Sequence, residues 1–342
     1  MYRNTSGLRN TQIKKIETLY NFHTPPEFIV ESDLAYLLIE LSHSIKRQIG
    51  LLIDRNGKVI YVIVGDAQKI VIPVTDGYMA LPGRLKGLRL LHTHLKNEPL
   101  NRDDLTDLAL LRLDYITAIC ITPEGKPGTF YSGHILPDED SEPYRISEPA
   151  TIDESECDCL AQILSIESEL TRKNSLYKPE TGQENAFLIN ATTKNPREAW
   201  ASIEELKELC KTSRINVIGT AVQRRRSIDP KFVVGKGKLS NLIIKAIQKY
   251  ATLLVFDREL SASQIRSITD FVEIKVIDRT QLILDIFAKQ AKSREGKFQV
   301  ELAQMEYLLP RLITKNTAMS RLTGGIGGRG PGETKLEINR RR

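Results

Sequence analysis

The chain has 342 residues, 41% of them hydrophobic and 27% charged, with a net charge of +6. That length is too great for one ordinary core and suggests two or three domains. The sequence has no run of about 18 apolar residues that could span a membrane. Its first 17 residues, MYRNTSGLRNTQIKKIE, lack the apolar core of a secretory signal, so a cytoplasmic location is expected. Cys120, Cys157, Cys159 and Cys210 are scattered, and the one close pair, Cys157-Asp158-Cys159, fits neither a CxxC metal knuckle nor a redox motif, so four reduced thiols are expected. The charge is unevenly spread. Residues 288–342 hold 12 Lys or Arg against 5 Asp or Glu, a net of +7, whereas residues 1–287 carry −1. Such asymmetry points to an anionic partner, nucleic acid being the usual one; a solvated basic helix is the competing reading.

Residues 1–150 read as a modest α/β domain. IGLLIDRNGKVIYVIVGD (49–66) is a hairpin whose Asn56-Gly57 turn tolerates positive φ. The strand GLRLLHTH (87–94) runs into a loop, and a helix opens near Asn101 with Asp103 and Asp104 in its first turn. ITAICITP (116–123) and GTFYSGHIL (128–136) complete the strands. Residues 151–184 read as a helix (157–173) and a polar linker, which together mark the boundary between the first domain and the second.

Residues 185–287 alternate strand and helix. AFLINA (186–191) precedes the helix PREAWASIEELKELCKT, and INVIGTAV (215–222) comes after it. The helix LSNLIIKAIQKY (239–250) then precedes TLLVFD (252–257), and SASQIRSITDFV (261–272) leads to IKVID (274–278). This order predicts a parallel sheet with crossover helices. Residues 288–342 read as an αα-hairpin: a helix from Glu295 to about Thr314, the segment TGGIGGRGPGE with six glycines in eleven residues, and a second helical arm from Thr334. The fold class is therefore multidomain α/β with a helical segment.

Phosphate-cradling loops place glycines so that backbone N–H groups approach an anion. No GxxxxGK[ST] occurs in the chain, and the glycine-rich segment is preceded by a helix and contains Pro331, which has no N–H, so it is not a nucleotide loop. A second cluster, Gly235-Lys236-Gly237-Lys238, comes after an apolar stretch and precedes a helix. It suits either a phosphate or a plain tight turn. Arg224-Arg225-Arg226 suits either RNA contact or a solvated strand end.

A series of segments from Asn185 to Arg341 resembles the N-terminal and helical domains of the HflX family of ribosome-associated GTPases. They are Val234-Gly235-Lys236-Gly237-Lys238, Phe256-Asp257-Arg258-Glu259-Leu260-Ser261, Asp278-Arg279-Thr280 with Ile283 to Phe287, and Glu295-Gly296-Lys297 with Gln299 to Gln304. Leu309-Pro310-Arg311-Leu312, Ser320-Arg321 and Gly324 to Glu337 come next in order. The resemblance implies a protein that binds the large ribosomal subunit and its rRNA, with no DNA partner and no membrane span. In that family the glycine-rich tip reaches rRNA near the peptidyl-transferase centre, so Arg321, Gly324, Gly325, Gly327, Gly328, Arg329, Gly330 and Lys335 become candidate RNA contacts. Lys335 stands where the family pattern has Gln, and Asn339 where it has an acid. The family's GTP and Mg²⁺ site lies in a G domain expected to come after these residues, so no GTP hydrolysis is expected from them.

His92-Thr93-His94, with Asp104 one loop later, is similar to the HxH…SxxD signature of JAMM/RadC-type domains. Two histidines two apart on a strand face the same side, and a carboxylate could complete a zinc triad. Three departures stand against this reading: Asn101 in place of Ser, a spacing one residue short, and Gln48 where a general-base Glu is expected. A metal-dependent hydrolase is the alternative function for this domain, against an inactive scaffold with structural histidines. An adenine-nucleotide or RNA-binding module on Gly235 to Lys238 is a third reading.

Overall fold

The computed structural model describes residues 5–312, apart from 74, 76–77, 79–82, 138–141, 153–157, 177–182, 194 and 273. It divides into two compact units, residues 1–174 and 175–342.

The first unit is built on a six-stranded sheet in the order β2-β1-β3-β4-β5-β6. β1 (Ile49–Asp54) and β2 (Val59–Val64) form the expected hairpin, and Gly57 at its turn has φ +86°. A Cβ there would lie 2.1 Å from the Thr24 carbonyl oxygen, so only glycine fits. β3 (Leu88–His94) runs antiparallel to β1 and parallel to β4 (Tyr115–Ile121), the parallel pair being joined through α3 (Arg102–Leu111). β5 (Pro127–Ile135) and β6 (Tyr144–Ile146) complete it.

Side-chain alternation divides the layers. Thr93 meets Ser42 of α2 (Ser32–Ile45) at 2.7 Å, and Tyr115, on the same face, donates to Gln162 of α4 (Cys159–Leu176). His92 and His94 point to the other face, where α3 lies. Helices therefore cover both faces. α1 (Asn10–Glu17), with the 3-10 turn Thr18–Asn21, packs beside α2.

The boundary after residue 150 is corrected. Ile163, Ile166 and Leu170 of α4 are buried in the same core as Leu90, Ile116 and Leu38. Arg55 clamps α4 in place, donating to Asp114 at 2.7 and 3.1 Å and to Glu167 at 2.7 and 3.2 Å. The helix assigned to a linker is thus part of the first domain, because its apolar stripe closes that sheet. β6 is a strand that the sequence reading did not assign.

The second unit has four parallel strands in the order β10-β9-β7-β8. They are β7 (Asn185–Thr192), β8 (Asn216–Arg224), β9 (Leu253–Phe256) and β10 (Lys275–Asp278). α5 (Pro196–Thr212) and α8 (Arg279–Gln290) share a core with the sheet through Ile203, Leu206, Leu282 and Ile286, packed on Leu188 and Val255. α6 (Lys236–Gln248) and α7 (Ala262–Thr269) make the two crossovers that run the other way. α7 opens on a capping box in which Ser261 accepts from Gln264 N–H. α9 (Arg294–Leu312) packs on α7 and α8. The second arm of the hairpin and its glycine-rich tip lie outside the described residues.

Candidate functional site

The first unit brings three of the sequence-predicted residues together. His92 and His94 project from the carboxyl end of β3, at the centre of the sheet. Asp104 arrives from α3, whose N-terminus is set by Asn101. The Asn101 Oδ1 accepts the N–H groups of Asp103 at 2.7 Å and Asp104 at 3.0 Å, while Asp104 Oδ2 accepts the Asn101 N–H at 2.8 Å. This reciprocal cap locks the Asp104 carboxylate against the sheet. Asn101 therefore does the capping work expected of a serine, and the shorter spacing does not keep Asp104 away.

The two imidazole Nε2 atoms are 2.9 Å apart, and Asp104 oxygens lie 3.4 Å from each. A tetrahedral cation with ligands at about 2.0–2.1 Å requires ligand atoms roughly 3.3–3.4 Å from one another. The triad has nearly that spacing, and among the described residues it is the one such group of metal-ligating side chains. The Glu98 carbonyl can only accept, so His94 carries its proton on Nδ1, donated at 2.9 Å, and turns the Nε2 lone pair inward. The same carbonyl accepts from the Cys120 thiol at 3.1 Å, and burial pushes that thiol up to about 12.

The electrostatics match a cation site. Burial pushes the His92 imidazole below its ordinary value. Burial also opposes charge on His94, but Asp104 and the Glu98 carbonyl outweigh it and the net shift is upward. The Asp104 carboxylate is well below the usual range despite its burial, because both imidazoles hold it ionised. His92 is fully buried and His94 is 3% exposed. Gln48 precedes β1 on the same sheet face as Gly50, which pairs with His92. An amide there accepts no proton, so the position supplies no general base.

In the second unit, Gly235 takes φ +81° as the N-cap of α6. Lys236, Gly237 and Lys238 are already helical, one turn earlier than the apolar pattern of 239–250 indicates, and both lysines are exposed. Arg225 donates to the carbonyls of Val234 and of Ser227, the latter at 3.2 Å, and so staples this turn. Of the arginine run, Arg224 and Arg226 remain exposed while Arg225 is a structural brace. Lys236 Nζ sits 5.5 Å above the Phe271 ring. Arg321, Gly324, Gly325, Gly327, Gly328, Arg329, Gly330 and Lys335 lie outside the described residues.

A further polar cluster carried no motif of its own. Asn190, Asp257 and Arg279 meet at the carboxyl end of the parallel sheet. Asp257 and Arg279 stand inside resemblance segments, yet nothing in their spacing told that they touch.

Comparison with known proteins finds matches in the second unit, whose parallel sheet with crossover helices is continued by a long packed helix. Residues 200–288 match the family described as GTP-binding GTPase N-terminal, and residues 290–342 match GTP-binding GTPase Middle Region. The chain is 50% identical over 159 residues to GTPase HflX of Alkalihalophilus pseudofirmus, covering 46% of this chain and 38% of that protein. It is 42% identical over 139 residues to GTPase HflX of Escherichia coli, covering 41% and 33% respectively. Residues 200–342 are thus similar to the N-terminal and middle regions of the HflX GTPases. The chain spans well under half the length of these relatives. A GTP-binding protein of Sulfolobus solfataricus, solved with GDP, aligns with a TM-score of 0.31 at 25% identity over 38% of each chain.

Proposed function

We propose that residues 185–342 are the ribosome-facing part of an HflX-type GTP-binding protein, contacting rRNA of the large subunit in the cytoplasm. The observation that carries this is the charge of the matched middle region: 11 Lys or Arg against 5 Asp or Glu over residues 290–342, a net of +6, around a six-glycine segment. A backbone of that kind follows an irregular RNA surface, and its cations displace counterions. Exposed Lys236 and Lys238 at the start of α6 add a second anion-facing point. GTP and Mg²⁺ enter through the family reading, and none of these 342 residues forms a GxxxxGK[ST] loop for them. Replacing Arg321, Arg329 and Lys335 together by Ala tests the proposal: binding to large subunits weakens and its salt dependence flattens. Unchanged binding refutes the assignment of the tip.

A second reading concerns the first unit, which we take as a JAMM-like domain holding one divalent cation on His92, His94 and Asp104. The convergent ligand atoms support it, and two nitrogens with one carboxylate favour zinc. Such an ion, when bound, polarises a water molecule. The chain's own contribution is to hold and orient: Asn101 fixes Asp104, and the Glu98 carbonyl fixes His94. With Gln48 in place of a carboxylate base, cation binding without efficient hydrolysis is the function proposed for this unit. Absence of stoichiometric metal in protein purified without chelator or His-tag overturns it.

A further inference from the structure

α9 meets the rest of the second unit through polar side chains. Among its described residues Tyr307 and Arg311 are the buried ones, while Phe298, Leu302, Met305 and Leu309 are 53–63% exposed. The Arg311 guanidinium lies 3.5 Å from the centroid of the Tyr307 ring, one turn earlier on the same face, and donates to the Tyr307 carbonyl. Its Nη2 donates to the Leu260 carbonyl at 2.8 Å and to Glu259 Oε1 at 3.2 Å, both in the loop between β9 and α7. That loop is itself held. Leu260 N–H donates to Asp278 Oδ2 at 2.8 Å, and Asp278 Oδ1 accepts the Gln281 N–H at the start of α8 at 2.9 Å. A second tie lies earlier on α9, where Gln304 Nε2 donates to Asp285 Oδ1 of α8 at 3.2 Å.

Ties at Gln304 and Arg311 stand about 10 Å apart along a helix, enough to set its direction as well as its position. The direction needs setting, because Pro310 lies inside α9. Proline brings no N–H for the Glu306 carbonyl, and helices bend at such a gap. Arg311, the next residue, fastens that turn to the core. A guanidinium suits this task better than an ammonium group: its donors point outward in fixed directions, and its flat face stacks on a ring. After Leu312 come the basic and glycine-rich residues of the matched middle region, Arg321 to Lys335 among them.

We propose that Arg311 is a positioning residue: it latches α9 in the direction in which the helix leaves the α/β core, and so presents the chain after Leu312 to RNA without touching RNA itself. The presenting role rests on the ribosome-facing function proposed for residues 185–342; the latch does not. The test compares the full chain with its Arg311→Ala variant. By hydrogen exchange, α9 amides should exchange about tenfold faster in the variant, while those of β9 and β10 keep their protection. Binding to large ribosomal subunits should weaken about tenfold at each salt concentration with the salt slope unchanged, since a lost phosphate contact would instead lower the slope by about one. Unchanged α9 exchange, or protection lost from the whole sheet, overturns the latch. A lowered slope overturns the presenting role, as does undiminished binding beside faster α9 exchange. Failure of the wild-type chain to bind subunits overturns the ribosome-facing function and the presenting role together, and exchange still decides the latch. Should Arg311→Ala not fold, Arg311→Lys carries the same test: it keeps the charge but loses the stacking and the fixed donors, so wild-type exchange in that variant overturns the proposal.

Discussion

Adding zinc to metal-free protein should raise the melting temperature of the first unit, and the structure sets the size of the effect. The ligand atoms already stand 2.9 to 3.4 Å apart, so a cation needs little rearrangement to bind. Binding that is confined to the folded state stabilises it by about 2.7 kcal/mol when free zinc is 100 times the dissociation constant. For a unit of 174 residues, each kcal/mol moves the midpoint by roughly 2–4 °C, giving about 5–10 °C in calorimetry. His94→Ala should abolish the rise. Asp104→Asn keeps an amide oxygen that can accept the Asn101 N–H; it lowers the metal-free midpoint by removing the charge that both imidazoles hold, and the zinc-dependent rise should be lost with it. A midpoint indifferent to zinc in the wild type, or a rise that survives His94→Ala, refutes the reasoning.

Arg55→Ala should destabilise the first unit by about 3–5 kcal/mol in chemical denaturation, because it strands the Asp114 carboxylate, 2% exposed, without its partner. Loss below about 1 kcal/mol would show that the clamp is dispensable. Burial holds the His134 imidazole below its ordinary value, and Gln162 Nε2 donates to its Nε2 at 3.1 Å, a bond that protonation breaks. The neutral ring is therefore favoured in the fold, and its contribution is full above about pH 6.5 and lost as pH falls through the lower folded value. His134→Gln should flatten the acid limb of stability against pH by at most about 1.4 kcal/mol per pH unit; an unchanged slope contradicts this. Charge reversal of Lys236 and Lys238 together should weaken ribosome binding and lower its salt slope by about one per neutralised phosphate contact, measured by filter binding. An unaltered slope removes α6 from the RNA interface.

Features that depend on neighbours in the chain were legible in the sequence. The two-residue spacing of His92 and His94 on a strand placed both rings on one face, and the Asn101-to-Asp104 interval forms a cap by local geometry alone. The Asn56-Gly57 turn and the Pro196 helix start are local in the same sense. Non-local features were not legible. The apolar stripe of α4 says that the helix packs on something, but not that this is the first sheet. α2 carries helical spacing at Leu34, Leu38 and Leu41, a signal overshadowed by the stronger hairpin pattern beside it. The early start of α6 depends on Gly235 adopting positive φ, which a Lys-Gly alternation does not reveal. Pairing of Asn190 with Asp257 joins residues 67 apart and exists only because β7 and β9 are neighbours in the sheet.

The most direct test of the central claim is cosedimentation of the chain with large ribosomal subunits across a salt series. The account predicts pelleting with the subunit at about 50 mM monovalent salt and a steep loss by about 200 mM, as expected when several phosphates are neutralised. No association at the lowest salt, or association indifferent to salt, contradicts it.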